Sequence, residues 1–331
     1  MKIIKALILL AFVVAFYSLT GCGGKKEANP LVTTPSPTAS EVAKIAAEKK
    51  NIALVMKTLT NPFFIEMEKG ARKAANEMDV ILTVKTGAQE TSIDQQIAII
   101  EELIRMKIDA IVIAPASSIE LIPVLKKAQD EKIAIVNIDN RLDSEVAKKM
   151  GLVNVPFISV DNEKGSYLSA KFLSGKFDGS TEVLILEGIR SAKNAQERTS
   201  GALKAFKENA NANVAAVATA NWKIDEAYAV AQSQFRTKPS IGAVFCGNDM
   251  MALGVVKYLK ESGRTGVLVA GFDALDEAKR AVEDGTLLVT VDQRADMQGY
   301  LGVKMALQKL RGEPVSPETL IEVKLISKGV R

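Results

Sequence analysis

Short polar clusters, each following a run of apolar residues, carry the side chains that could do chemistry in this chain. They are Lys57 with Asn61-Pro62-Phe63-Phe64, then Asp139-Asn140-Arg141, Asn221-Trp222, Gly247-Asn248-Asp249, Phe272-Asp273 and Asp292-Gln293-Arg294. Arg198 joins them from inside a helix-period stretch at 193–209. Singly, each cluster reads as helix capping, because Asn and Asp accept hydrogen bonds from the free N–H groups of a helix start. Asn61 fits that role, with Pro62 preorganised at the first helical position and both phenylalanines in the first turn. Asp225 and Asp249 are expected to cap the segments starting at Glu226 and Met250. Taken together, the clusters offer a different chemistry. Carboxylates, amides and a guanidinium beside aromatic rings suit a polyhydroxylated ligand, whose hydroxyls both donate and accept and whose apolar face packs on a ring.

Composition removes most competing chemistries. The 331 residues include no histidine and only two cysteines, which excludes Ser-His-Asp and Cys-His nucleophile systems, histidine-ligated metals and Cys₄ sites. No phosphate-cradling glycine motif follows a strand, so neither nucleotide nor dinucleotide chemistry is indicated. The acidic stretch 139–145 lacks the turn glycine of an EF-hand loop. The reading is therefore a binding protein and not an enzyme, with no cofactor and no metal. A pocket built without imidazole holds no group that titrates unperturbed between pH 5 and 8, so ligand affinity is expected to be flat from pH 6 to 8.

The elements that must position these residues are β-branched runs alternating with amphipathic helical stretches. The runs are Ile52 to Met56, Val80 to Val84, Ala110 to Ile113, Ile133 to Ile138 and Phe157 to Val160. The pattern then repeats with Val183 to Leu186, Val214 to Ala218, Ala243 to Phe245, Val267 to Ala270 and Leu287 to Val291. Continuous apolar strands without alternation indicate parallel sheets covered on both faces. The fold class is α/β, with two doubly wound parallel-sheet lobes, and ligands of such sheets bind at the carboxyl ends of the strands.

The first residues read as a targeting segment. Lys2 and Lys5 precede an apolar run from Ala6 to Phe16, too short to span a bilayer, and Leu19-Thr20-Gly21-Cys22 resembles a bacterial lipobox. The expected division is a lipoprotein signal peptide at 1–21, then a lipidated Cys22 and a disordered, Pro/Ser/Thr-rich tether through residue 45. Cleavage removes two lysines, so the net charge of +4 falls to +2, and nucleic acid is not an expected partner. The only thiol left is Cys246, which is expected to fill space in a core strand.

From about Asn51 to Arg331 the chain resembles the periplasmic sugar-binding proteins of ABC importers, of the ribose and allose type, within the type I periplasmic binding protein family. The resemblance rests on residues 54–64, Gln196-Glu197-Arg198, Ala220-Asn221-Trp222, residues 244–254, Gly271-Phe272-Asp273 and Thr290-Val291-Asp292-Gln293, in order and at family spacing. It implies a multi-strand hinge joining a first lobe of 46–160 plus 293–322 to a second of 161–292 plus 323–331. It also implies that Asn61, Phe63 or Phe64, Asp139, Asn140, Arg198, Trp222, Asn248, Asp273 and Gln293 surround the ligand. Lys57 stands where allose-type members place a pocket lysine. Ribose-type members follow the strand-end aspartate with arginine, whereas Asn140 stands here and Arg141 comes one place late; an asparagine cannot reproduce a guanidinium fork. The implied function is capture of a monosaccharide or polyol by a monomeric, exported, membrane-anchored lipoprotein for an importer permease. The alternative is a sensor that reports the ligand to a chemotaxis, kinase or quorum circuit.

Overall fold

The computed structural model describes residues 49–329; the expected signal segment, Cys22 and the tether lie outside the described residues. Two six-stranded sheets organise the chain. The first is built from β1 (Asn51–Met56), β2 (Ile81–Thr86), β3 (Ala110–Ile113), β4 (Ala134–Ile138), β5 (Phe157–Val160) and β11 (Glu318–Ile321), in the order β11-β5-β4-β3-β1-β2. All its pairings are parallel. The second contains β6 (Thr181–Glu187), β7 (Ala212–Thr219), β8 (Ile241–Cys246), β9 (Leu268–Ala270), β10 (Val289–Asp292) and β12 (Lys324–Ser327), in the order β12-β10-β9-β8-β6-β7. Only β12 runs antiparallel to its neighbour. Both sheets share the doubly wound order 2-1-3-4-5, whose switch point lies beside the first strand of each.

Strands β1, β3, β5 and β8 are buried along almost their whole length, as both-face coverage of a parallel sheet requires. Cys246 lies fully buried at the end of β8, and burial pushes its thiol pKa well up. The helices of the first lobe are α1 (Pro62–Met78), α2 (Ile93–Arg105), α3 (Ile122–Asp130) and α4 (Ser144–Lys149). Those of the second are α5 (Asn162–Ser174), α6 (Lys193–Lys207), α7 (Ile224–Thr237), α8 (Asp249–Glu261) and α9 (Asp276–Asp284), and α10 (Ala295–Leu310) returns to the first sheet. Close approach fixes that return. A Cβ on Gly299 would lie 2.0 Å from the carbonyl oxygen of Met67 and one on Gly70 1.8 Å from that of Asp296, so only glycines let α10 and α1 cross here.

The chain passes between the sheets after β5, between β10 and α10, and between β11 and β12. Three details differ from the sequence expectation. Strands β11 and β12 were not anticipated; each is only four residues long, partly exposed and opened by a charged residue, so neither shows a buried-strand pattern. Asp225 lies inside the first turn of α7, whose N-cap position is Lys223. Asn248, not Asp249, caps α8, its Oδ1 accepting from the Met251 N–H at 3.0 Å. Asp249 is buried instead, accepting from the Thr290 hydroxyl at 2.7 Å and the Leu275 N–H at 2.9 Å.

Candidate functional site

The carboxyl ends of both sheets converge on one small cavity with about 20 Å³ of free space, room for little more than a water molecule. Ten residues expected from the sequence line it: Lys57, Asn61, Phe63, Phe64, Asp139, Arg198, Trp222, Asn248, Asp273 and Gln293. All of them are buried.

On the first-lobe side, Lys57 follows β1 and its ammonium lies 2.8 Å from Asp139 Oδ2 and 3.9 Å from Glu90 Oε2. The contact with Asp139 is an ion pair without hydrogen-bond alignment, for Oδ2 has no hydrogen-bond partner. Asn61 does two jobs. Its Oδ1 accepts from the Phe63 N–H at 3.1 Å, capping α1 as expected, and its Nδ2 donates to Glu90 Oε1 at 2.9 Å. Phe63 and Phe64 meet edge to face with centroids 5.0 Å apart, and the Lys57 ammonium stands 5.6 Å from the Phe64 ring centre. Burial raises the Glu90 carboxyl above its ordinary pKa, with Lys57 and Asn61 opposing.

On the second-lobe side, Arg198 projects from the second turn of α6 and is held almost completely by protein acceptors. Its Nε donates to Asn162 Oδ1 at 2.8 Å, its Nη1 to the Gly247 carbonyl at 2.9 Å and to Asp273 Oδ1 at 3.4 Å, and its Nη2 to Gln293 Oε1 at 3.1 Å. The guanidinium also stacks 3.9 Å from the Phe272 ring centre and 5.4 Å from that of Trp222. Of five N–H donors, one on Nη2 is left for a ligand, so Arg198 is mainly an organiser of Asp273 and Gln293. Gln293 Nε2 donates to the same Asp273 oxygen. Burial pushes the Asp273 carboxyl well above its ordinary pKa, against the pull of Arg198.

Backbone strain marks these strand ends. Asp139, Trp222 and Asp273 have φ of 63°, 66° and 128°; aspartate tolerates the left-handed region, but a tryptophan there costs about 1–3 kcal/mol and needs its surroundings to hold it. The indole is held by glycine on two sides: a Cβ on Gly188 would sit 2.0 Å from its ring, and one on Gly247 3.2 Å away. Asn248 Nδ2 donates to the Trp222 carbonyl at 3.3 Å, fixing the turn from the next strand end.

Asn140 does not line the cavity. Its Nδ2 donates to the Pro115 carbonyl at 3.1 Å, and its Oδ1 accepts from Ser118 Oγ at 3.4 Å and from the Asn194 N–H at 3.3 Å. Arg141 lies outside as well, stacked 3.9 Å from the Phe157 ring centre and paired with Glu318. Two lining residues were missed, Glu90 and Asn194. Glu90 belongs to the loop after β2, the strand end that the sequence reading passed over, and Asn194 lies one helical turn before Arg198, hence on the same face. Three buried polar atoms of lining residues have no hydrogen-bond partner among the described residues: Asp139 Oδ2, held only by its ion pair with Lys57, Trp222 Nε1, a donor, and Asn194 Oδ1, an acceptor.

Twin α/β lobes with a polar, aromatic-walled cavity between their strand ends define a two-lobed solute-binding protein. A periplasmic binding protein domain matches residues 52–314, and the chain belongs to that family. It is 42% identical over 271 residues to the D-ribose/D-allose-binding protein of Pseudomonas aeruginosa, covering 80% of this chain and 84% of the relative. To the D-allose-binding periplasmic protein of Escherichia coli K12 it is 32% identical over 267 residues, covering 80% and 86%. A crystal structure of an ABC transporter periplasmic solute binding protein from Actinobacillus succinogenes 130z with bound D-allose superposes with a TM-score of 0.80. That alignment has 35% identity and covers 85% of this chain and 98% of the other.

Proposed function

We propose that this protein captures a neutral monosaccharide or closely related polyol between its two lobes and delivers it, chemically unchanged, to the permease of an ABC-type sugar importer. The observation that carries the reading is that two residues lining the cavity keep a buried polar atom which no neutral or charged group among the described residues satisfies, Trp222 Nε1 and Asn194 Oδ1. A donor and an acceptor are both satisfied by hydroxyls, each of which can accept and donate. Around them Asp139, Asp273 and Glu90 accept, Lys57, Asn61, Asn248 and Gln293 supply amide or ammonium groups, and Phe63, Phe64 and Trp222 offer ring faces. The relatives named for D-allose and D-ribose support a sugar of that size. Asn140 and Arg141, both turned away from the cavity, favour an allose-type over a ribose-type arrangement.

The proposed lobes are 46–160 plus 293–322 and 161–292 plus 323–331, moving about the three chain crossings, and the proposed address is an exported lipoprotein anchored through Cys22. A thermal-shift screen across pentoses, hexoses, inositols and alditols, starting with D-allose and D-ribose, tests the function. A bound sugar at 100 times its dissociation constant stabilises by about 2.7 kcal/mol. Stabilisation by at least one sugar is expected; stabilisation by none, with turnover of a nitrophenyl glycoside, would overturn it. Palmitate labelling of Cys22 in cells, lost in Cys22→Ala, tests the anchor.

A further inference from the structure

Helix α6 begins without a cap of its own. Its N-cap residue is Ala192, which has no side chain able to accept a hydrogen bond, although the first N–H groups of a helix need acceptors. The acceptors come from the opposite lobe. The Lys193 N–H donates to Ser118 Oγ at 3.1 Å and the Asn194 N–H to Asn140 Oδ1 at 3.3 Å. Ser118 and Asn140 follow β3 and β4 of the first sheet, whereas α6 packs on the second. Both side chains are buried and tied to each other, Ser118 Oγ lying 3.4 Å from Asn140 Oδ1. Their loop is fixed in turn: Asn140 Nδ2 donates to the Pro115 carbonyl, and Asn137 Nδ2 donates to the Asn140 carbonyl at 2.8 Å.

We infer that Ser118 and Asn140 form a closure latch that caps α6 in trans, so that bringing the lobes together seats the helix that carries Asn194 and Arg198 in the binding cavity. When the lobes separate, both caps are lost to α6 at once, and the helix start is left to water. The latch therefore favours the closed state without touching the ligand. Asn140 thus acts on affinity as a positioning residue through α6, and Ser118, absent from the cavity lining, acts with it. This inference rests on the proposal that the cleft between the lobes closes on a sugar.

The test measures D-allose and D-ribose binding by calorimetry and dissociation by stopped-flow fluorescence, for wild type, Ser118→Ala, Ser118→Thr and Asn140→Ala. Loss of a cap, typically ~1 kcal/mol, corresponds to about fivefold. Ser118→Ala and Asn140→Ala are each expected to weaken binding about fivefold through faster dissociation, with Ser118→Thr restoring it. The urea midpoint of ligand-free Ser118→Ala is expected to stay at the wild-type value, whereas Asn140→Ala, which also loses its bond to the Pro115 carbonyl, is expected to lower it. An effect of Asn140→Ala with none of Ser118→Ala would place Asn140 on the sugar and overturn the latch. A ligand-free Ser118→Ala midpoint that falls as far as its affinity would make the contact merely structural. Should the wild type bind neither sugar, that failure touches the proposed ligand alone. The latch is then decided with whichever sugar the thermal-shift screen selects: amide exchange at Lys193 and Asn194 in that complex is expected several-fold faster in the Ser118→Ala/Asn140→Ala double variant, and equal rates would overturn it.

Discussion

The two walls of the cavity are built from similar residue types but wired differently. The second-lobe wall is tied together by protein groups alone: Arg198 spans Asn162, Gly247, Asp273 and, at the crossing into the first lobe, Gln293, and the Trp222 indole is packed on Gly188 and Gly247. The first-lobe wall is held by charge, with Lys57 set between Asp139 and Glu90 and one contact as long as 3.9 Å. A network of directional bonds fixes shape, whereas a charge cluster adapts to what enters. The second wall is accordingly the template, and the first the adjustable partner.

The largest expected break is on the template side. Arg198→Ala strands the buried Asp273 carboxylate and the Gln293 amide, and removing one partner of a buried ion pair costs about 3–5 kcal/mol. The urea midpoint should drop accordingly and sugar binding should disappear; a stable variant that still bound sugar would show that the network is dispensable.

A smaller effect comes from beneath the same wall. Burial pushes the Asp249 carboxyl up to about 6, only partly offset by the hydrogen bonds from Thr290 and Leu275. Between its unfolded value near 4 and its folded value the native state holds the proton more tightly. Stability therefore falls as pH rises through that window and is level above it, by about 3 kcal/mol from this group. Urea midpoints of wild type relative to Asp249→Asn at pH 4.5 and 7 should show this loss on the wild-type side; a constant difference would contradict it. The raised Glu90 and Asp273 carboxyls also revise the expectation of a flat affinity profile. If both must ionise to accept sugar hydroxyls, affinity falls as pH drops, and titrations at pH 5 and 8 measure the difference.

Trp222→Phe sharpens the comparison within one side chain, since it keeps an aromatic face and removes the unpartnered Nε1 donor. Affinity should fall about tenfold, the range of one hydrogen bond, while ligand-free stability changes little. The smallest effect is expected from Arg141→Ala. The guanidinium lies on Phe157 and Glu318 outside the cavity, so the dissociation constant should change less than twofold, and a large loss would place Arg141 in the site.

Much of this arrangement was legible because parallel α/β sheets obey a local rule. Apolar runs without alternation gave the strands, and the residue after each carboxyl end gave the candidates, so Lys57, Asp139, Trp222, Asn248, Asp273 and Gln293 could be named from their places in the chain. Glu90 and Asn194 obey the same logic at one more step of loop or helix and were within reach. Asn140 was not. Its neighbours in sequence, Asp139 and Arg141, point to two other environments, and its own partners, Pro115, Ser118 and Asn194, lie 22 to 54 residues away.

The sequence by itself determined the α/β class, the doubling of the lobe, the absence of imidazole chemistry and the stock of polar and aromatic groups available to a ligand, because these depend on composition and on periodicities a few residues long. Tertiary structure alone decided how that stock was divided. It spent most of the Arg198 donors inside the protein, left Trp222 Nε1 and Asn194 Oδ1 open, and sent Asn140 to cap a helix of the other lobe. Hydrogen bonds last only about 3 Å and are directional, so which donor meets which acceptor is fixed by where two sheets, joined by three crossings, bring their strand ends.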